Sequence, residues 1–269
     1  MSRTKHNAAK NGRTATLTLE AEKEENAYSE TFYTIIEGTD KKNAIIVNTH
    51  TDGTNCIEEN GPVALLSMMK YLKDYKPEKT IIFVFVTGHF RLSSFGELTS
   101  GVQATSKWLT SHKELWNGKD GHLKAVAGLS VEHLGSKLFK DVDGVYTDKE
   151  DIETELCYTG NKTMDNIYYR ACKGREHIKT ITLRGHNMLH FGEGQPLFHA
   201  GIPEISIVPA PDCLCVISDN HEMDKFDANL MYEQTESFIK MLLILDKMSP
   251  KDIGKCDRYS LGVKQGKKK

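Results

Sequence analysis

Two uninterrupted apolar runs, Ala44-Ile45-Ile46-Val47 and Ile81-Ile82-Phe83-Val84-Phe85-Val86, constrain this chain more than any other feature of its sequence. A strand with one wet face alternates apolar and polar residues, whereas a run without alternation buries both faces. Such strands need a sheet covered on either side by helices, and the segments between the runs supply them. Asn60-Gly61-Pro62 opens a helix, with Asn60 as its cap, Pro62 in the first turn, and Leu65, Met69 and Leu72 along one side. Further strands are predicted at 124–132, 153–158 and 202–208, and a helix at 164–174. A closing helix over about 225–248 carries Phe226, Leu230, Phe238, Met241, Leu242 and Leu245 at helical spacing. Residues 14–23 and 31–37 alternate instead, and read as half-exposed antiparallel strands. The predicted fold class is α/β: a mostly parallel central sheet, helices on both faces, and antiparallel strands at the N-terminal edge. One large domain spans 30–250, preceded by an extension over 1–29 and followed by a tail over 251–269.

Composition narrows the partners. Of 269 residues, 27% are charged and the net charge is only −2, so neither nucleic acid nor an anionic membrane is called for. The basic end Lys264 to Lys269 reads as a solvated terminus. No stretch reaches the roughly 20 apolar residues of a spanning helix, and Met1 to Arg13 lacks the apolar core of a signal peptide. As written, the chain is expected in the cytoplasm. Six cysteines (Cys56, Cys157, Cys172, Cys213, Cys215, Cys256) follow no zinc-knuckle or redox spacing and read as free thiols, mostly buried.

Ligands of open parallel sheets bind beyond the carboxyl ends of the strands. The polar residues there are Asn48-Thr49-His50-Thr51-Asp52-Gly53, Thr87-Gly88-His89, Glu132-His133, and Asp219-Asn220-His221-Glu222-Met223-Asp224 after the late strand. Glu58-Glu59 lies just before the first helix. Each cluster alone has an ordinary structural reading: a satisfied histidine, or acids compensating a helix dipole. Together they place imidazoles and carboxylates, the ligands of catalytic zinc, at one edge of the sheet.

The segment Asn48 to Gly53, followed by Asn60-Gly61-Pro62-Val63-Ala64-Leu65-Leu66, resembles the His-x-Asp motif and next helix of the zinc-dependent aminopeptidase family. That family includes bacterial leucyl aminopeptidases, glutamate carboxypeptidases and the related glutaminyl cyclases. Asn220-His221-Glu222-Met223-Asp224 resembles its last metal motif, Glu132 falls at its strand-end metal carboxylate, and Gly192 to Phe198 with Gly201-Ile202-Pro203 resembles the segment by its substrate pocket. The resemblance runs in order from about residue 30 to 248. It implies one or two zinc ions, a peptide substrate with a free N-terminus, and a metal-activated water attacking the peptide carbonyl. Carried over by residue, it makes His50, Glu132 and His221 metal ligands, with Glu58 or Glu59 as a further ligand. Asp52 would orient His50. The chain departs from the family where Glu-Glu follows the second buried strand, because His89-Phe90 stands there; His89 would act as base or as a ligand. The implied activity is aminopeptidase-type hydrolysis. The alternatives are a non-catalytic binding relative and a glutaminyl-cyclase-like acyltransferase. Longer relatives carry an accessory domain, of which residues 1–29 would be a remnant, and some are secreted.

His133 follows Glu132 directly, so strand alternation predicts that it points to the opposite face, away from any metal. Trp108 and Trp116 read as core. One of His186, His190 and His199 would line the pocket, and Arg184 sits in a segment able to bind a substrate carboxylate or simply in a surface loop.

Overall fold

The computed structural model describes residues 10–12, the even-numbered residues of 14–22, and residues 28–89, 104–184, 190–214 and 222–257. In chain order the strands are β1 (Phe32–Ile36), β2 (Asp40–His50), β3 (Lys79–Val86), β4 (Lys124–Val131), β5 (Lys137–Val142), β6 (Val145–Ile152), β7 (Glu155–Thr159), β8 (Thr180–Arg184) and β9 (Glu204–Pro209). The helices are α1 (Gly61–Tyr71), α2 (Ala104–Ser111), α3 (Lys162–Ala171), α4 (Gly194–His199), α5 (Ala228–Lys247) and α6 (Pro250–Ile253). Among the described residues, seven strands form one sheet in the order β1-β3-β2-β4-β9-β7-β8, while β5 and β6 pair as a separate hairpin.

The centre of the sheet, β3-β2-β4-β9, is parallel; β1 joins β3 antiparallel and β7 joins β9 antiparallel. Alternation along the buried runs explains both layers of core. Ile45 and Val47, with Ile81, Phe83 and Phe85, face a layer made by Ala64, Leu65 and Met68 of α1, Ile167 and Tyr168 of α3, and Phe238, Met241, Leu242 and Leu245 of α5. Ala44 and Ile46, with Ile82, Val84 and Val86, face Ala104, Trp108 and Leu109 of α2 and Leu197 of α4. Helices thus cover both faces, and truncating a fully buried side chain such as Leu65 to Ala is expected to cost about 2–5 kcal/mol.

Several expectations are corrected. Asn60 makes no side-chain cap to α1. Its amide instead donates to the Leu134 carbonyl at 2.7 Å and accepts from the Leu134 N–H at 3.0 Å, tying the start of α1 to the end of β4. The described residues of 14–22 form no strand. The hairpin β5–β6 was not anticipated, although Asp143-Gly144 at its tip, both with positive φ, is the mirror-image turn that closes two-residue hairpins. Cys56, Cys157, Cys172 and Cys213 are free thiols, the last three of them buried; Cys215 lies outside the described residues. Among the described residues no helix is long and apolar enough to cross a membrane.

Candidate metal centre

Register brings the cluster together. Asn48 of β2 pairs with Ser130 of β4. His50 and Glu132, each two residues further on, therefore fall at one level on the same face, the face covered by α2 and α4. Both are buried. The His50 Nε2 lies 3.7 Å from Glu132 Oε2.

His133 joins them, against expectation. Alternation holds only inside a strand, and β4 ends at Val131. His133 has φ 53°, a left-handed conformation that turns its ring back toward the cluster. Its Nε2 lies 3.2 Å from His50 Nε2 and 4.0 Å from Glu132 Oε2. The available sequence signal was the position of His133 past a strand end, where period two no longer applies.

The proton positions on these two rings follow from their other contacts. His50 Nδ1 is 2.8 Å from the Asp52 carbonyl, and His133 Nδ1 is 2.9 Å from the Pro209 carbonyl. A carbonyl oxygen only accepts, so each Nδ1 carries the hydrogen and each Nε2 a lone pair. Burial holds His50 down to about 3 and His133 down to about 4, so both rings are neutral at pH 7. Two lone pairs facing each other at 3.2 Å have no hydrogen bond to share. A cation between them resolves this: zinc–nitrogen bonds of 2.0–2.1 Å at a tetrahedral angle put the two nitrogens about 3.3 Å apart. The donor atoms of His50, Glu132 and His133 all lie within 4.8 Å of one another. The residues fit a divalent ion.

Carboxylates crowd the same place. Burial, and then the neighbouring Glu193, push Glu132 up to about 8. Glu193 is fully buried and is raised mainly by that burial. Glu58 is buried, and its Oε2 has no hydrogen-bond partner among the described residues, whereas Glu59 is exposed and outside the cluster. Of the two expected alternatives, only Glu58 is brought in.

His89 lies between two carboxylates. Its Nδ1 is 3.0 Å from Asp52 Oδ2 and its Nε2 is 3.0 Å from Glu58 Oε1. Burial opposes its charge, but the hydrogen bonds to Asp52 and Glu58 outweigh it and raise His89 to about 10. Each ring nitrogen thus faces a carboxylate oxygen. The ring stacks on His50 with centroids 3.7 Å apart. Asp52 orients two histidines by different atoms: its carbonyl takes His50, not its carboxylate as expected. The carboxylate takes the His89 ring and the backbone N–H groups of Gly88 and His89. These bonds hold Asp52 well below the usual carboxylate range despite burial.

His221, His186 and Phe90 are outside the described residues. His190 is buried against Glu204, Nε2 to Oε1 3.2 Å, and stacks on Tyr158. Arg184 pairs with Asp165. Trp108 is core, as expected. An apolar groove of about 440 Å³ between α1 and α5, lined by Val63, Tyr71, Met231, Tyr232, Ile239 and Leu243, shares no residue with the cluster.

Neither protein-family models nor curated protein sequences give a match. Solved structures do. BSAP, a zinc aminopeptidase from Bacillus subtilis, superposes with a TM-score of 0.58 at 12% identity, covering 82% of this chain and 52% of that one. The LapA aminopeptidase of Legionella pneumophila gives 0.57 at 14% identity, covering 81% and 55%. A leucine aminopeptidase precursor from Bacteroides thetaiotaomicron gives 0.52 at 15% identity, covering 78% and 75%. This chain spans about half the length of the first two. It has the α/β fold of these bacterial aminopeptidases.

Proposed function

We propose that the chain is a metal-dependent hydrolase of the peptidase type, removing residues from the free amino ends of peptides. The observation that carries this reading is the pair of converging Nε2 lone pairs on His50 and His133, with the buried Glu132 carboxyl beside them. These three residues would hold a divalent ion, with zinc favoured by the nitrogen-rich donor set. His221 is proposed as a further ligand on its sequence motif alone. When bound, the ion supplies Lewis acidity toward a peptide carbonyl and toward water.

The chain's own groups divide the remaining work. Glu58 Oε2, buried and uncommitted, is the atom we assign to take the proton from water. His89 holds the other Glu58 oxygen and is itself anchored by Asp52, so the pair aims Glu58 rather than competing for the proton. Burial keeps bulk water from screening these charges. Preference for a free amino end rests on the fold neighbours, which are aminopeptidases by name.

Metal analysis of the purified chain, beside hydrolysis of aminoacyl-nitroanilides and their N-acetylated forms, tests the reading. Near-stoichiometric zinc is expected, with turnover that is lost to a chelator, lost in His50→Ala, and absent on the acetylated substrates. Absence of bound metal, or turnover indifferent to the chelator, overturns it. One observation favours a second reading: His89 held between Asp52 and Glu58, where the family has a Glu base, suits a metal-containing binding protein without catalysis. Bound zinc with no turnover on any substrate would establish that reading, and release of pyroglutamate from glutaminyl peptides would establish the acyltransferase instead.

A further inference from the structure

The face of the sheet under α2 and α4 turns polar one level below the metal cluster. Asn48, Ser130 and Ser206, aligned on β2, β4 and β9, are fully buried there. Buried polar groups without purpose are costly, so each contact is informative. Ser130 Oγ donates to Asn48 Oδ1 at 2.6 Å. The Asn48 amide nitrogen donates to the Glu193 carbonyl at 3.0 Å and to Thr105 Oγ1 at 3.1 Å. Thr105, at the start of α2, donates its hydroxyl hydrogen to Glu193 Oε2 in a short bond. Glu193 is thus gripped at its carbonyl and at its carboxylate, and its N–H donates to Glu132 Oε1 at 2.6 Å.

Gly192 completes the arrangement. Its φ is +76°, and a Cβ there would sit 2.5 Å from Glu132 Oε1 and 2.8 Å from Oε2. Only glycine lets the 192–193 backbone close on the carboxylate. With Oε1 so engaged, Oε2 is the oxygen turned toward the two imidazoles.

We infer that Gly192, Glu193 and Thr105 form a positioning relay that selects and aims the metal-facing oxygen of Glu132, with Asn48 anchoring it to the sheet. The inference rests on the metal-binding reading above. Thr105 and Glu193 touch neither substrate nor ion; they act through Glu132. Hydrogen-bond partners of metal ligands contribute roughly 10- to 100-fold to metal affinity.

The test measures cobalt(II) and zinc(II) affinity of the full chain by competition with a chromophoric chelator, together with the cobalt visible spectrum. The proteins are wild type, Thr105→Val, Thr105→Ser and Gly192→Ala, each checked for cooperative melting without metal. Thr105→Val should bind both metals about 10- to 100-fold more weakly with an altered cobalt spectrum. Thr105→Ser, which keeps the hydroxyl, should restore both. Gly192→Ala should weaken binding at least as much, and it decides the matter alone if Thr105→Val fails to melt cooperatively. Wild-type affinity and spectrum in a folded Thr105→Val or Gly192→Ala overturns the relay while leaving the metal reading intact. Failure of wild type to bind either metal overturns the metal reading itself.

Discussion

Replacing His133 by Asn separates a ligand from a structural histidine. Asn tolerates the left-handed φ of 53°, and its amide nitrogen, three bonds from Cα like Nδ1, keeps a donor for the Pro209 carbonyl. What it removes is Nε2. The metal-free variant should therefore lie within about 1–2 kcal/mol of wild type, the range for a buried substitution that retains its hydrogen bond. Metal binding should suffer far more. Loss of one of three converging donors is expected to weaken affinity at least the ~100-fold that accompanies loss of a mere partner of a ligand. With free zinc at 100 times the wild-type Kd, wild type gains about 2.7 kcal/mol and the variant only about 0.4 kcal/mol. For a domain of this size, at about 2–4 °C per kcal/mol, the zinc-induced rise in Tm should shrink by roughly 5–9 °C. Thermal melts of both proteins, with zinc and with chelator, read this directly. Equal zinc-induced rises in the two would refute the ligand assignment. A collapse of the chelated variant alone would make His133 structural.

Glu58→Gln should abolish hydrolysis while leaving metal affinity within about tenfold, measured by nitroanilide turnover and chelator competition; retained turnover would remove Glu58 from its assigned role. The His89 pKa is raised from its ordinary 6.5 to about 10, so the stability it adds is full below pH 6.5 and is lost as pH rises through about 10. Urea melts of chelated protein should show His89→Gln losing stability less steeply than wild type across that window. Arg175→Leu strips both guanidinium contacts from Glu155, whose side chain is fully buried, and leaves it Gln234, Tyr168 and Thr180 as donors among the described residues. It should cost about 3–5 kcal/mol in urea melts without changing metal affinity, since this network touches none of the cluster.

The fold was largely legible because burial on both faces leaves an unmistakable pattern: the runs at 44–47 and 81–86 are β2 and β3, and the helices after Asn60 and in the last fifth of the chain follow. The reversal at β7 was not legible, because a strand's direction is set by the packing of its connections and leaves little trace in five residues. Within the cluster, His50, Asp52, Glu58, His89 and Glu132 could be picked out as polar residues at strand ends. Their roles could not. Asp52 acts on His50 through its backbone, which no side-chain pattern encodes, and His89 lies between two acids that the sequence separates from it by 31 and 37 residues. His133 was excluded by a rule that is sound within a strand and void past its end. Thr105 and Gly192 carry no chemistry that a motif would flag; one matters for a hydroxyl reaching Glu193, the other for the atom it lacks.

His50 ends β2 and Glu132 immediately follows β4, adjacent parallel strands joined by an unbroken ladder from Ile45 to Asn48. Their spacing is therefore a lattice dimension of the sheet, and prising them apart means tearing rungs from its most deeply buried part. A grip mounted this way is already closed to its working width before anything enters it. Uptake and loss of an ion should leave the far-ultraviolet dichroism untouched, and the speed of exchange should be governed by how quickly solvent reaches the two nitrogens rather than by any refolding around them.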